Sequence, residues 1–305
     1  MTSPTLRLVQ TGAEMQVGPA AAGRVIGSHL RRLREQQGLK LADVAPLVGI
    51  SVATLSRLER GKHPPKEQNV MRLLDFYGVQ RPADLEAIRQ LLVQAEKKEW
   101  WHQFNDVLPG WMQRLVATEA TSTEIRTYHC QYIPGLLQTP DYARAVVSMA
   151  FAKPAESARQ IQRKVEVRLQ RQQILNQADP PRYFALLDEG ILRRPVGTIP
   201  VFRGQLRNLY SLEENSDQVS IRVIPFTAAI SGMSPAPALT YLKFAQGDTQ
   251  ELIYLEQHPT GGRYLSAPQE IEEYRRALLD LASAAADRES SMRMLVEAIN
   301  DLEDR

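Results

Sequence analysis

The sequence predicts an α+β protein in two parts: a five-helix all-α module near the N-terminus, then a larger mixed domain with a mostly antiparallel sheet and C-terminal helices. Three observations carry this. Apolar residues recur every three or four positions from Ala21 to about Lys97, with glycines breaking the pattern at intervals. Short branched and aromatic runs separated by turn residues follow between Tyr183 and Leu255. All three tryptophans, Trp100, Trp101 and Trp111, fall between the two regions.

Composition sets the frame. At 305 residues, with 43% hydrophobic and 24% charged residues, the chain is globular and long enough for two domains, and no apolar run reaches membrane-spanning length. A cytoplasmic protein without a membrane partner is expected. Residues 1–20, rich in Ser, Thr, Gly and Pro, lack the basic start and apolar core of a secretory signal and read as a flexible arm. Cys130 is the sole cysteine, which excludes a disulfide or a thiolate metal cluster within one chain.

The helix-turn-helix domain is placed at 21–97. Its first helix runs from about Ala21 to Gln37, with Val25, Leu30 and Leu33 inward and Arg31 and Arg32 outward. Leu41, Val44, Ala45 and Val48 mark one side of a second short helix, and Gly49 ends it. Ser51 then caps a helix whose apolar face is Leu55 and Leu58, and the small Ala45 allows the pair to cross closely. That arrangement is a helix-turn-helix, whose second helix enters a major groove. Val70, Leu73, Leu74 and Tyr77 mark a fourth helix, and Pro82 opens a fifth through Ala95.

Charge agrees with the pattern. Between Arg24 and Lys66 nine basic residues face three acidic ones, so this stretch carries +6; a chain total of +2 leaves −4 for the rest. A basic module on a near-neutral body suits a protein that holds a phosphate backbone with one end. A solvated helix face would explain the charge alone, but not the charge together with the motif.

The run Ala45, Gly49, Ser51, Leu55, Ser56, Leu58, Glu59, Arg60, Gly61, continued by Lys62-His-Pro-Pro65, resembles the Cro/XRE class of repressor domains, a five-helix all-α fold. The resemblance implies that Arg34 on the first helix pairs with Glu59 at the end of the recognition helix. One departure stands out: Leu41 occupies a place where the family often has glutamine or another polar residue, so either a phosphate contact is missing there or Lys40 replaces it. On this reading Val52, Ala53, Ser56 and Arg57 face base edges, with Arg57 the candidate for a forked contact to guanine. Arg31, Lys40, Ser51, Thr54, Arg60 and Lys62 hold phosphates.

Residues 98–117 form an aromatic connector, since exposed tryptophans would cost too much for a free linker. Packing on a domain is the first reading; base stacking and a ligand pocket remain alternatives. From 118 to 305 a strand spans about Ile125–Tyr132, followed by the loop Ile133-Pro-Gly-Leu-Leu-Gln-Thr-Pro140 and helices over about Asp141–Ala150 and Ser157–Gln177. Tyr183–Leu187, Val219–Ile224, Ala238–Phe244 and Leu252–Leu255 read as strands, Val201–Glu214 as a helix, and Gly261-Gly262 as a sharp turn. The final helices carry stripes of Ile271, Tyr274, Leu278 and Leu281, then Met294, Leu295, Ala298, Ile299 and Leu302, the second suited either to the chain's own body or to a second subunit.

The blocks Ile133 to Arg144, Arg168-Leu-Gln-Arg171, Leu187-Asp-Glu189-Gly-Ile-Leu-Arg193, Val223-Ile-Pro-Phe226 and Tyr254-Leu-Glu256 resemble actinobacterial antitoxin-like regulators of the WhiJ type, over about residues 98–290. The resemblance implies a regulator whose second domain acts with a small protein encoded nearby and has no agreed chemistry. No catalytic residue, metal or cofactor is expected: Asp188 and Glu189 point to opposite faces, and the five histidines lack ligand spacing. Trp100, Trp101, Trp111, Arg144, Arg168 and Arg171 are the candidates for ligand or partner contact, the arginines also for pairing with Asp188, Glu189 or Glu256. Double-stranded DNA and a second copy of the chain complete the expected partners. The alternatives are an antitoxin-like interaction protein that regulates its own synthesis, and a small-molecule-responsive repressor.

Overall fold

The computed structural model describes residues 19–61, 65–97, 99–151, 158–177, 179–229, 238–244, 251–257 and 261–303. The arm expected over the first residues, the phosphate contact at Lys62, the turns at Gly232, Pro235, Gly247 and Asp248, and His258 lie outside them. Two compact units divide between His102 and Gln103.

The first unit is all helix: α1 (Pro19–Gln36), α2 (Leu41–Val44), α3 (Val52–Glu59), α4 (Glu67–Phe76) and α5 (Pro82–Ala95). Ile26, Leu30 and Leu33 of α1 meet Val44, Ala45, Leu55, Leu58, Leu73, Leu74 and Ile88 in one core, as the periodicity requires. The second helix is shorter than its apolar spacing suggests. Pro46 has no N–H to continue the ladder, so regular helix stops at Val44 and the chain reaches Gly49 through turns.

The second unit is built on one six-stranded sheet of β1 (Ser122–His129), β2 (Arg182–Asp188), β3 (Val219–Ile224), β4 (Ala238–Phe244), β5 (Leu252–Gln257) and β6 (Gly261–Leu265), in the order β3-β2-β1-β4-β5-β6. Three of the pairings are antiparallel, while β1–β2 and β2–β3 are parallel. The parallel half follows from its connections: α7 (Pro140–Phe151) and α8 (Ala158–Gln172) lie between β1 and β2, and α9 (Gly190–Arg193) and α10 (Ile199–Asn215) between β2 and β3.

Each sheet face has its own helices. Ile125, Ala185, Ile221 and Leu242 share a core with Tyr142 and Val146 of α7, Phe202, Leu206 and Leu209 of α10, and Leu295 and Ala298 of α12 (Arg288–Asn300). Tyr128, Leu186, Leu239 and Ile253 pack on the other face against Ile271, Leu278 and Leu281 of α11 (Pro268–Ala284). The last helix therefore buries its stripe in its own unit, the first of the two readings its sequence allows.

Gly261 and Gly262 belong to strand β6, not to a turn. The ring of Tyr254 fills the space beside Gly262, where an added Cβ would come 1.9 Å from a ring carbon. The connector is ordered as a 3-10 turn at Trp100–Phe104 and as α6 (Gly110–Glu119). Trp101 is buried, and Trp111 stacks on Tyr254 at 6.5 Å between centroids while its carbonyl accepts from the Tyr264 hydroxyl at 2.7 Å.

Candidate nucleic-acid interface and a buried ion cluster

Helix α3 begins where Ser51 Oγ accepts from the Thr54 N–H at 3.0 Å, meeting an otherwise unpaired donor of the first turn. The Ser51 and Thr54 hydroxyls also bond each other at 2.8 Å. Leu55, Leu58 and Glu59 point inward; Val52, Ala53 and Arg57 are exposed, with Ser56 partly so. Spacing of three and four residues puts Ala53, Ser56 and Arg57 on one side of the helix.

The inward side is clamped. Arg34 donates through Nε and Nη2 to Glu59 Oε1 and Oε2 at 2.7 and 2.8 Å, and through Nη1 to the Leu39 carbonyl at 2.8 Å. Glu59 is only 6% exposed. Its hydrogen bond is the main cause that holds the Arg34 guanidinium above its ordinary basicity, against the effect of burial. The same two groups flank Tyr77, whose hydroxyl burial pushes up to about 12.

Helix α1 meets the recognition helix at a glycine. A Cβ at Gly27 would lie 2.5 Å from the Leu58 carbonyl oxygen and 2.7 Å from that of Glu59, so a glycine inside α1 lets its backbone approach the end of α3. A lone glycine within a helical run was the available signal. Gly49, at φ +72°, takes the left-handed conformation that ends the preceding turn.

Of the residues expected at phosphates, Arg31 bonds Glu35 at 2.8 Å and Lys40 is exposed at the start of α2. Arg60 folds back on α3, donating to the Ser56 carbonyl at 3.0 Å and to Ser56 Oγ at 2.9 Å. The positions of the Ser56 hydroxyl and the Arg60 guanidinium are thus coupled.

In the second unit, Arg171 donates to both carboxylate oxygens of Glu119 at 2.5 and 2.6 Å. Burial opposes its charge, yet the attraction and hydrogen bonds of Glu119 outweigh that and hold its pKa above the ordinary value. Arg168 donates to Gln138 Oε1 at 3.1 Å, and burial, then the neighbouring Arg171, lower its pKa to about 10. Burial also lowers His129 to about 4, with Glu256 opposing and Arg171 assisting. Arg144, on the surface, donates to Gln162 at 2.6 Å. Of the carboxylates expected to pair with these arginines, Glu256 attracts both Arg168 and Arg171, whereas Asp188 and Glu189 are engaged elsewhere. Asp188 instead accepts from the Gly190 N–H, and Glu189 from Arg193 and the Phe226 N–H. Those carboxylates sit where the chain turns out of β2, beside backbone donors they satisfy locally.

The Ile133–Pro140 loop is held by amides. Gln205 and Asn208 donate to the Leu137 carbonyl at 2.8 and 3.1 Å, and Gln172 to those of Gly135 and Gln138 at 2.9 and 2.7 Å. A buried loop without a strand partner must satisfy its carbonyls with side chains. Among the described residues no group of three or more His, Cys, Asp or Glu side chains could hold a metal ion, and no helix is long and apolar enough to cross a membrane.

Comparison with known proteins falls along the same division. Residues 25–88 match a helix-turn-helix domain family, and residues 112–297 match a family described as a domain of unknown function, DUF5753. The chain is 30% identical over 117 residues to the HTH-type transcriptional regulator DdrOP3 of Deinococcus deserti, covering 38% of this chain and 74% of that protein. No solved structure matches.

Proposed function

From a chain that belongs to the DUF5753 family and, through its first domain, to the HTH-type transcriptional regulators, we propose a sequence-specific regulator that docks α3 in a major groove under control of its second domain. The observation that carries this is the two-sided character of α3: an inner side fixed by Arg34 and Glu59, an outer side open at Val52, Ala53, Ser56 and Arg57. Arg57 reads guanine with its fork, while Arg31, Lys40, Ser51, Thr54, Arg60 and Lys62 set register on phosphates. Two copies of the chain read an inverted repeat with half-sites about one helical turn apart. Selection from a random duplex library tests it, followed by titration of Arg57→Ala on the selected site. A loss on the order of 1–3 kcal/mol with relaxed preference at one base step is expected. Unchanged affinity and preference would remove Arg57 from the groove, and light scattering showing monomer alone on the operator would remove the dimer.

A second reading, an antitoxin-like module that binds a small protein encoded nearby, draws support from Phe226. Its side chain is 66% exposed while its backbone N–H is fixed by Glu189 at 2.9 Å. An exposed aromatic on an anchored backbone suits a protein surface better than a solvated loop. Co-purification with the product of the neighbouring gene, lost in Phe226→Ser, tests it. A small-molecule-responsive repressor draws less support, since Arg168 and Arg171 are engaged by Gln138 and Glu119.

A further inference from the structure

The outer side of α3 offers methyl groups and hydrogen-bond donors, and little that accepts. Val52, 44% exposed, and Ala53 present methyls at the start of the helix, the part that enters a groove first. Arg57 presents a forked donor and has no hydrogen bond or ion pair among the described residues. The Ser56 oxygen already accepts from Arg60 at 2.9 Å, which favours its proton as the group offered outward.

What α3 lacks decides the rest. The strong reader of the adenine amino group is a side-chain amide, and that of the cytosine amino group is a carboxylate. Val52–Glu59 contains no Asn or Gln, and its one carboxylate, Glu59, is buried with both oxygens occupied by Arg34. The clamp that fixes the helix also withdraws its only strong acceptor from the groove.

Resting on the reading of α3 as the groove helix, we propose that it recognises keto bases: thymine through its methyl group, met by Val52 and Ala53, and guanine through O6 and N7, met by Arg57. The amino groups of adenine and cytosine are left unread. Thymine and 5-methylcytosine carry the same methyl group at the same place in the major groove, so 5-methylcytosine substitutes for thymine at the Val52 step as far as the methyl contact goes.

The test uses the full chain and the duplex it selects from a random library, altered one atom group at a time. Deoxyuridine for thymine removes only the methyl, and a loss of about three- to fivefold is expected at one or two positions per half-site. 7-Deazaguanine for guanine removes one acceptor, and roughly tenfold weaker binding is expected at one position. Val52→Ser, a change on an exposed position, should abolish the deoxyuridine penalty at one step while leaving the 7-deazaguanine penalty intact. Specific binding that is indifferent to both analogues, or that weakens only when adenine is replaced by nebularine, which lacks the amino group, would overturn the proposal and leave the docking intact. Absence of any sequence preference in the library would overturn the docking itself.

Discussion

Two buried forks of the same chemistry sit in the two units. In the first, Arg34 grips Glu59; in the second, Arg171 grips Glu119. Both carboxylates are nearly sealed from water. The surroundings differ. Arg34 also reaches the Leu39 carbonyl and comes within 3.6 Å of Glu35, and its pair lies on the back of a helix whose front is open. Arg171 has Arg168 beside it, and the polar groups around it are turned on one another. A bidentate pair therefore does not mark a functional surface by itself; what lies on the other side of the element does.

Removing one carboxylate at a time breaks that comparison most forcefully. Glu119→Ala leaves Arg171 without its hydrogen-bonded counter-charge next to a second guanidinium, with Glu256 the remaining attraction, and a loss of about 3–5 kcal/mol in the second unit is expected. Glu59→Ala should cost the first unit less, because Arg34 keeps the Leu39 carbonyl and Glu35. Denaturation followed by hydrogen exchange at the amides of each unit separates the two losses. An equal loss would mean that the surroundings do not matter.

Acid gives the next effect. Burial, and then Arg32, hold His29 at about 4 against an ordinary value of 6.5, with Asp84 opposing. A depressed histidine favours the neutral ring in the folded state, so its contribution is fully present above pH 6.5 and is lost as pH falls toward 4. The shift corresponds to a contribution on the order of 3 kcal/mol. Wild type should lose stability relative to His29→Leu as pH falls through that window, with the difference between them constant above it. His129 shifts in the same direction, so the second unit weakens in acid as well.

Gly27→Ala sharpens the contrast within the first unit. A methyl 2.5 Å from the Leu58 carbonyl must push α1 away from α3, for about 1–3 kcal/mol, with the second unit unchanged. Ser51→Ala removes the α3 cap and should cost about 1 kcal/mol, read as faster exchange of the Thr54 amide.

How much was legible follows from the range of the interactions. The helix-turn-helix rests on spacing, a cap and a left-handed glycine, all local, so its five helices could be read directly. Pro46, two residues past the end of α2, is equally local and shortens that helix. The parallel half of the sheet follows from the helices lying between β1, β2 and β3, whereas the closely spaced later strands pair antiparallel. The partner of Arg171 was not legible, because Glu119 lies 52 residues away and only the packing of α6 brings it there. Gly262 misled for a related reason: its role is to make room for Tyr254, a neighbour set by strand register.

The central claim, that the open side of α3 reads duplex DNA, is tested most directly by competition binding of the full chain at moderate ionic strength. A labelled duplex chosen by selection is challenged with random-sequence competitor, for wild type and Arg57→Ala side by side. The account predicts that wild type holds the selected duplex against a large excess of competitor and that Arg57→Ala loses about tenfold of that preference. Equal displacement by both duplexes, or a preference that Arg57→Ala retains in full, would contradict it.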